Sequence, residues 1–198
     1  MSAAIVTIQE PEFRWGPSAR GRLGMYCLIT AEAAIFTIFV VAYLFYLGKS
    51  LSGPTPAQVL HVPVLFTVCL LSSSLTIHLA VRSLHKANIV AFASWWFLTL
   101  FLGAAFLAGT VFEWLHLIYD KGLTIQTNLF GTTYYSVVGL HAFHVLMGLL
   151  ALGTVWLFAM FGKVRREHAE RVDTLALYWH FVDTVWVVVF LVVYVIGR

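Results

Sequence analysis

The run LFGTTYYSVVGLHAFHVLMGLLALGTVWLFAMF, Leu129–Phe161, contains no Asp, Glu, Lys or Arg. A helix crosses a hydrocarbon core with about 20 mainly apolar residues. This run exceeds that length, so it predicts a membrane span that tilts or projects past the interface. Working outward from it, similar runs occupy Leu23–Gly48, Val59–Val81, Ile89–Ile118 and Thr174–Gly197. In hydrocarbon only helices and closed barrels satisfy their own backbone groups, and the short alternating segments of barrel strands are not seen here. The sequence therefore predicts an all-α polytopic membrane protein with five transmembrane helices.

Composition agrees. The 198 residues are 61% hydrophobic and 11% charged, with a mean hydropathy of +0.88, whereas a soluble domain carries roughly 25% charged residues. A water-soluble enzyme is excluded. The expected organisation is an N-terminal arm over residues 1–22 and a single membrane domain over 23–198. The net charge of +3 does not signal a nucleic-acid partner, because the charges fall in the linkers between apolar runs. Cys27 and Cys69 lie inside the runs and read as small buried apolar residues rather than a disulfide or metal framework. Met1 to Pro17 includes Glu10, Pro11 and Glu12 and lacks a long apolar stretch, so no cleavable signal is expected.

The linkers differ in charge. Arg14, Arg20 and Arg22 precede the first run, Arg82 and Lys86 follow the second, and Lys163, Arg165, Arg166 and Arg171 follow the fourth; the alternate linkers hold Lys49, Lys121 and Arg198. Basic residues concentrate on the cytoplasmic side of membrane proteins, which predicts a cytoplasmic N-terminus and an outside C-terminus. Ser52-Gly53-Pro54-Thr55-Pro56 and Asp120-Lys121-Gly122 read as turns.

Ionisable groups within a span are costly, so each asks for a reason. Glu32 lies roughly 13 Å along its helix from Leu23 at 1.5 Å per residue. It reads either as a proton-exchanging carboxyl or as a protonated acid bonded to a neighbouring helix. Glu113 and His116 stand three apart, as do His141 and His144. That spacing suits metal or haem ligands, and equally imidazoles that bridge helices by hydrogen bonds. His78 is a further span histidine. In Tyr178-Trp179-His180-Phe181-Val182-Asp183-Thr184-Val185-Trp186, His180 and Asp183 are three apart, and Trp179, Asp183 and Trp186 share a face. This pattern predicts a buried contact between helices or subunits, with the tryptophans at a subunit or lipid interface. Ser72-Ser73-Ser74, Gly103-Ala104-Ala105 and Ala108-Gly109 permit close backbone approach.

Tyr178–Trp186 resembles the signature of subunit III of the haem-copper oxidases. Gly139-Leu-His-Ala-Phe-His-Val-Leu-Met-Gly148 resembles that family's segment of paired histidines between glycines. Ala31-Glu32 resembles its buried-acid segment, with alanine where serine is common. Leu70-Leu-Ser-Ser-Ser-Leu-Thr-Ile77 and Glu113-Trp114 match the intervening spans in order. The resemblance covers about Leu23 to Gly197 and is to the short, five-helix bacterial form. The long form has two further helices, and lipids sit between those two and the rest; here a neighbouring subunit would supply that wall.

The resemblance implies a subunit of a proton-pumping terminal oxidase that reduces dioxygen to water in the plasma membrane of a bacterium. This chain would carry no redox centre, with haem and copper in partner subunits and phospholipid as a possible companion. It would pack against catalytic subunit I, beside subunit II, and support proton uptake and turnover lifetime. Glu32 is implied as the buried, proton-linked acid. Glu113, His116, His141, His144, His180 and Asp183 are implied as intramembrane polar contacts. Cytochrome c is the favoured electron donor, a quinol the alternative. An independent metal-dependent oxidoreductase built on Glu113, His116, His141 and His144, or an ion transporter using Glu32, would be of another class.

Overall fold

The computed structural model describes residues 17–50, 53–60 and 62–197, with side chains from residue 20 onward. Most of the expected arm, including Arg14, and Ser52 of the first turn lie outside the described residues. The elements are α1 (Pro17–Tyr46), α2 (Pro56–Val59), α3 (Val64–His85), α4 (Ile89–Tyr119), α5 (Leu129–Met160) and α6 (Ala169–Phe190), which continues as a wider π-helical stretch over Leu191–Ile196. Five of these helices are long and apolar enough to cross a membrane, and no strand occurs among the described residues.

Helix limits move where local chemistry outweighs hydropathy. α1 begins at Pro17, ahead of the apolar run, because proline suits a first turn. The second span begins at Val64 rather than Val59, since Pro63 stands at its N-cap and the preceding residues form the single turn α2. Asn88 and Asn128 cap α4 and α5, their side-chain oxygens accepting from Ala91 N at 3.0 Å and Gly131 N at 2.8 Å. Such caps occupy amides left open at a helix start. The expected turn at Asp120-Lys121-Gly122 closes with Gly122 at φ +64°, a left-handed conformation that glycine adopts freely.

α6 touches α1, α3 and α5, while α3 packs most extensively on α4. Trp179 is the keystone. Its fully buried indole donates from Nε1 to Ser73 Oγ of α3 at 2.8 Å. A methyl group at Gly103 of α4 or Gly148 of α5 would lie 2.9 and 2.8 Å from the same ring. Three helices therefore meet α6 at one side chain, and the glycines of α4 and α5 are what let it in. Trp186, also buried, donates to Thr67 Oγ1 of α3 at 3.2 Å. Trp96 of α4 donates to the Leu152 carbonyl of α5 at 2.9 Å. Both tryptophans of the α6 signature thus lie inside this chain's own bundle. The expectation that they line a subunit or lipid interface is corrected, because α3 offers hydroxyl acceptors for their N–H groups.

The expectation of buried cysteines is also corrected. Cys27 faces outward and Cys69 is half-buried, since both sit on helix faces that this bundle leaves uncovered. α1 is the least enclosed of the spans and α6 the most.

Candidate functional site

The acids of the spans fall into three separate hydrogen-bonded groups, each joining different helices. Glu32 of α1 meets His144 of α5, with Oε2 and Nε2 3.0 Å apart. Their side chains are 22% and 8% exposed. His144 Nδ1 lies 2.7 Å from the Leu140 carbonyl of its own helix. A carbonyl only accepts, so Nδ1 carries a hydrogen, and this fixes the chemistry at the other nitrogen. Either a protonated Glu32 donates to Nε2, or an imidazolium donates to a carboxylate. In both cases one proton lies between the two atoms.

The neighbouring histidine behaves differently. His141 is fully buried, and neither ring nitrogen has a hydrogen-bond partner among the described residues. Trp186 stacks on it at a centroid distance of 5.0 Å, while Phe106 and Phe36 approach edge-on at 5.8 and 6.4 Å. Its expected polar contact is replaced by an aromatic cage, because the helix positions facing it carry rings rather than acceptors.

The second group joins α3 to α6. Ser74 donates to Asp183 Oδ2, and its Oγ lies 3.0 Å from His180 Nδ1. A hydroxyl has one hydrogen; with that hydrogen on Asp183, His180 donates to Ser74, giving the order His180, Ser74, Asp183. Asp183 Oδ1 is buried without a partner among the described residues. His180 and Asp183 are thus coupled through a serine of another helix.

The third group joins α4, α5 and the end of α6. Tyr194 donates to Glu113, at 3.0 Å from Oε1 and 3.2 Å from Oε2. Tyr134 lies 3.3 Å from the Tyr194 hydroxyl. His116 sits apart from this bond, with Nδ1 2.6 Å from Asp120 Oδ2 one turn along the same helix. Asp120, the residue that closes the end of α4, supplies this partner.

Three partners escaped the sequence: Ser74, Tyr134 and Tyr194. A hydroxyl inside an apolar run needs somewhere to bond, and that was the available signal. A further cluster lies at the basic end. Asp173 of α6 accepts from His85 of α3, whose Nε2 is 3.1 Å from each oxygen, and pairs with Arg22 of α1 at 3.8 Å.

Both nitrogens of His144 are engaged, and His141 is enclosed by the rings of Trp186, Phe106 and Phe36. Among the described residues no group of three or more His, Cys, Asp or Glu is arranged to hold a metal ion. Glu113 and His116 do not converge with the paired histidines.

These features define a polytopic helical membrane protein whose interior acids tie its helices together. Residues 18–198 match the family model described as cytochrome c oxidase subunit III. The chain belongs to the cytochrome c oxidase subunit III family. It is 35% identical to the cytochrome c oxidase subunit 3 of Alkalihalophilus pseudofirmus, over 88% of this chain and 86% of that one. Its identity to the subunit 3 of Thermostichus vulcanus is 32%, over 96% and 90%, and to that of Bacillus sp. 32%, over 88% and 85%. Membership makes the chain a component of an oxidase complex, with other oxidase subunits as partners. Its bacterial relatives and five long apolar helices are those of a bacterial membrane protein.

Proposed function

We propose that this chain is the accessory, non-redox subunit III of a proton-pumping cytochrome c oxidase, packed against subunit I with subunit II in the same complex. It lies in the inner (plasma) membrane with its N-terminus in the cytoplasm, an orientation supported by the basic linkers. The observation that carries the reading is the Glu32–His144 pair. One proton is held between α1 and α5, and among the described residues no metal-ligating set surrounds it. Such a pair takes up or gives back a proton without a change of oxidation state. It therefore fits support of proton uptake better than electron transfer.

In this role the chain's own residues hold geometry. His144 is oriented by Leu140 and receives Glu32; Ser74 couples His180 to Asp183; Tyr194 fixes Glu113. Haem and copper reside in the partner subunits and supply the oxygen chemistry there. The relatives' names support cytochrome c as the electron donor of the complex.

Gentle purification through a tag on this chain tests the proposal. The expected companions are a haem- and copper-containing subunit I and a subunit II, with oxidation of reduced cytochrome c. The chain separated from them should show no haem absorbance and no bound metal. A solitary particle with its own chromophore, or a preparation oxidising quinol alone, would overturn the corresponding part.

A further inference from the structure

Glu113 has a cavity at its side. About 300 Å³ of open space is walled by Val59, Pro63 and Phe66 on one side and by Phe112, Glu113 and His116 on the other. Glu113 stands six residues before the end of α4 at Tyr119, roughly 9 Å at 1.5 Å per residue. The cavity therefore lies near an aqueous interface. His116 and Asp120, both exposed, mark that end.

The hydrogen bonds on the opposite side of Glu113 have a fixed direction. Tyr194 directs its single hydroxyl hydrogen at the carboxyl group, so the bond between the two tyrosines is donated by Tyr134. The buried indole N–H of Trp114 has no hydrogen-bond partner among the described residues, and an indole N–H only donates. Among the described residues the row ends at Tyr134, as a donor. A proton on Glu113 passed inward would reverse both tyrosine hydroxyls and leave Tyr134 with no acceptor at its end. Among the described residues, the face of Glu113 open to arrival and departure of a proton is the cavity. Among the described residues, the groups around it are Tyr134 and Tyr135 from α5, Tyr194 from the end of α6, His116 from α4, and apolar Val59, Val62, Pro63 and Phe66 from the α2–α3 segment. Tyr135 is engaged elsewhere, donating to the Leu123 carbonyl at 2.8 Å.

We propose that Glu113 is a second proton-binding site of this subunit, served by water in this cavity from the aqueous face at the α4–α5 loop, with Tyr194 and Tyr134 as positioning residues. A hydronium ion in the cavity gives its proton to the carboxylate and leaves as water; deprotonation returns it the same way. The tyrosines hold the carboxyl in place and transfer nothing. This site shares no residue with the Glu32–His144 pair.

Infrared difference spectroscopy on the intact oxidase complex in vesicles tests the proposal, with pH or deuterium changed on one side at a time. Acidifying the side of the α4–α5 loop should produce a protonated-carboxyl C=O band that Glu113→Gln abolishes. Tyr194→Phe should shift that band to higher frequency, because a hydrogen bond to the carboxyl is lost. Val62→Phe, whose residue lines the same cavity, should keep the band and slow its deuterium exchange several-fold. A band that survives in Glu113→Gln, that responds only to the opposite side, or that exchanges at an unchanged rate in Val62→Phe overturns the proposal. If Glu113→Gln fails to assemble, the Tyr194→Phe shift and the Val62→Phe exchange rate decide the matter. Co-purification of the unsubstituted chain with its partner subunits tests the family role separately.

Discussion

Glu32 and His144 are 112 residues apart in sequence and 3.0 Å apart in space, and the second nitrogen of that histidine is occupied by the Leu140 carbonyl. The pair is the main polar link between α1, the least enclosed span, and the rest of the bundle. Glu32→Gln keeps an amide donor for His144 Nε2 but removes the exchangeable proton; Glu32→Ala removes both. Both variants are expected to leave the haem spectrum of the complex unchanged while altering proton uptake or the lifetime of turnover. Glu32→Ala should also release this chain more readily. Optical spectra, proton uptake and activity over repeated turnover check this, and loss of haem from either variant would contradict it.

Asp183→Leu leaves the Ser74 hydroxyl without its carboxylate acceptor inside the bundle. An unsatisfied buried polar group costs about 1–3 kcal/mol. Weaker retention of this chain after detergent washing is the expected result, measured as the fraction of subunit remaining with the complex. Asp183→Asn keeps an oxygen able to accept from Ser74 and should recover part of the loss.

The Phe66 ring of α3 lies against the backbone of Gly109 in α4, where a Cβ would collide with it. Gly109→Ala therefore overpacks the contact between the two most extensively joined helices, at a cost of about 1–3 kcal/mol. Phe66→Leu in the same chain should relieve much of the cost. Thermal denaturation of the two single variants and the double variant gives the coupling; strict additivity would show that the contact is not the cause.

Asp173→Asn is expected to do little. Its partners Arg22 and His85 have side chains about half exposed, and ion pairs of that kind contribute about 0–1 kcal/mol. Subunit retention should differ from the unsubstituted chain only at low salt, where screening is weakest.

The five spans were legible because nearly every run carries its own evidence of length and hydropathy, and the 3.6-residue period put Trp179, Asp183 and Trp186 on one face before any contact was known. Which face pointed inward was not legible. The indoles face Ser73 and Thr67, residues of a distant span, and no local pattern connects them. The three-residue spacings were likewise real but chemically silent: His141 and His144 share a helix face, yet one meets an acid and the other meets rings. Asp120 claimed His116 because it lies at a helix end where the next turn is open. Tyr194 lies in the π-helical stretch, where a wheel drawn at 3.6 residues per turn misplaces it.

In that stretch Gly197 N bonds to the Val192 carbonyl, five residues back, at 2.9 Å. The coil there holds one residue more per loop than the rest of the rod. A related chain that lacks this extra residue would carry the same letters at its tail and aim them elsewhere. Counting gaps near Leu191 is therefore a quicker guide to whether a cousin keeps the Tyr194–Glu113 bond than asking whether a tyrosine is present.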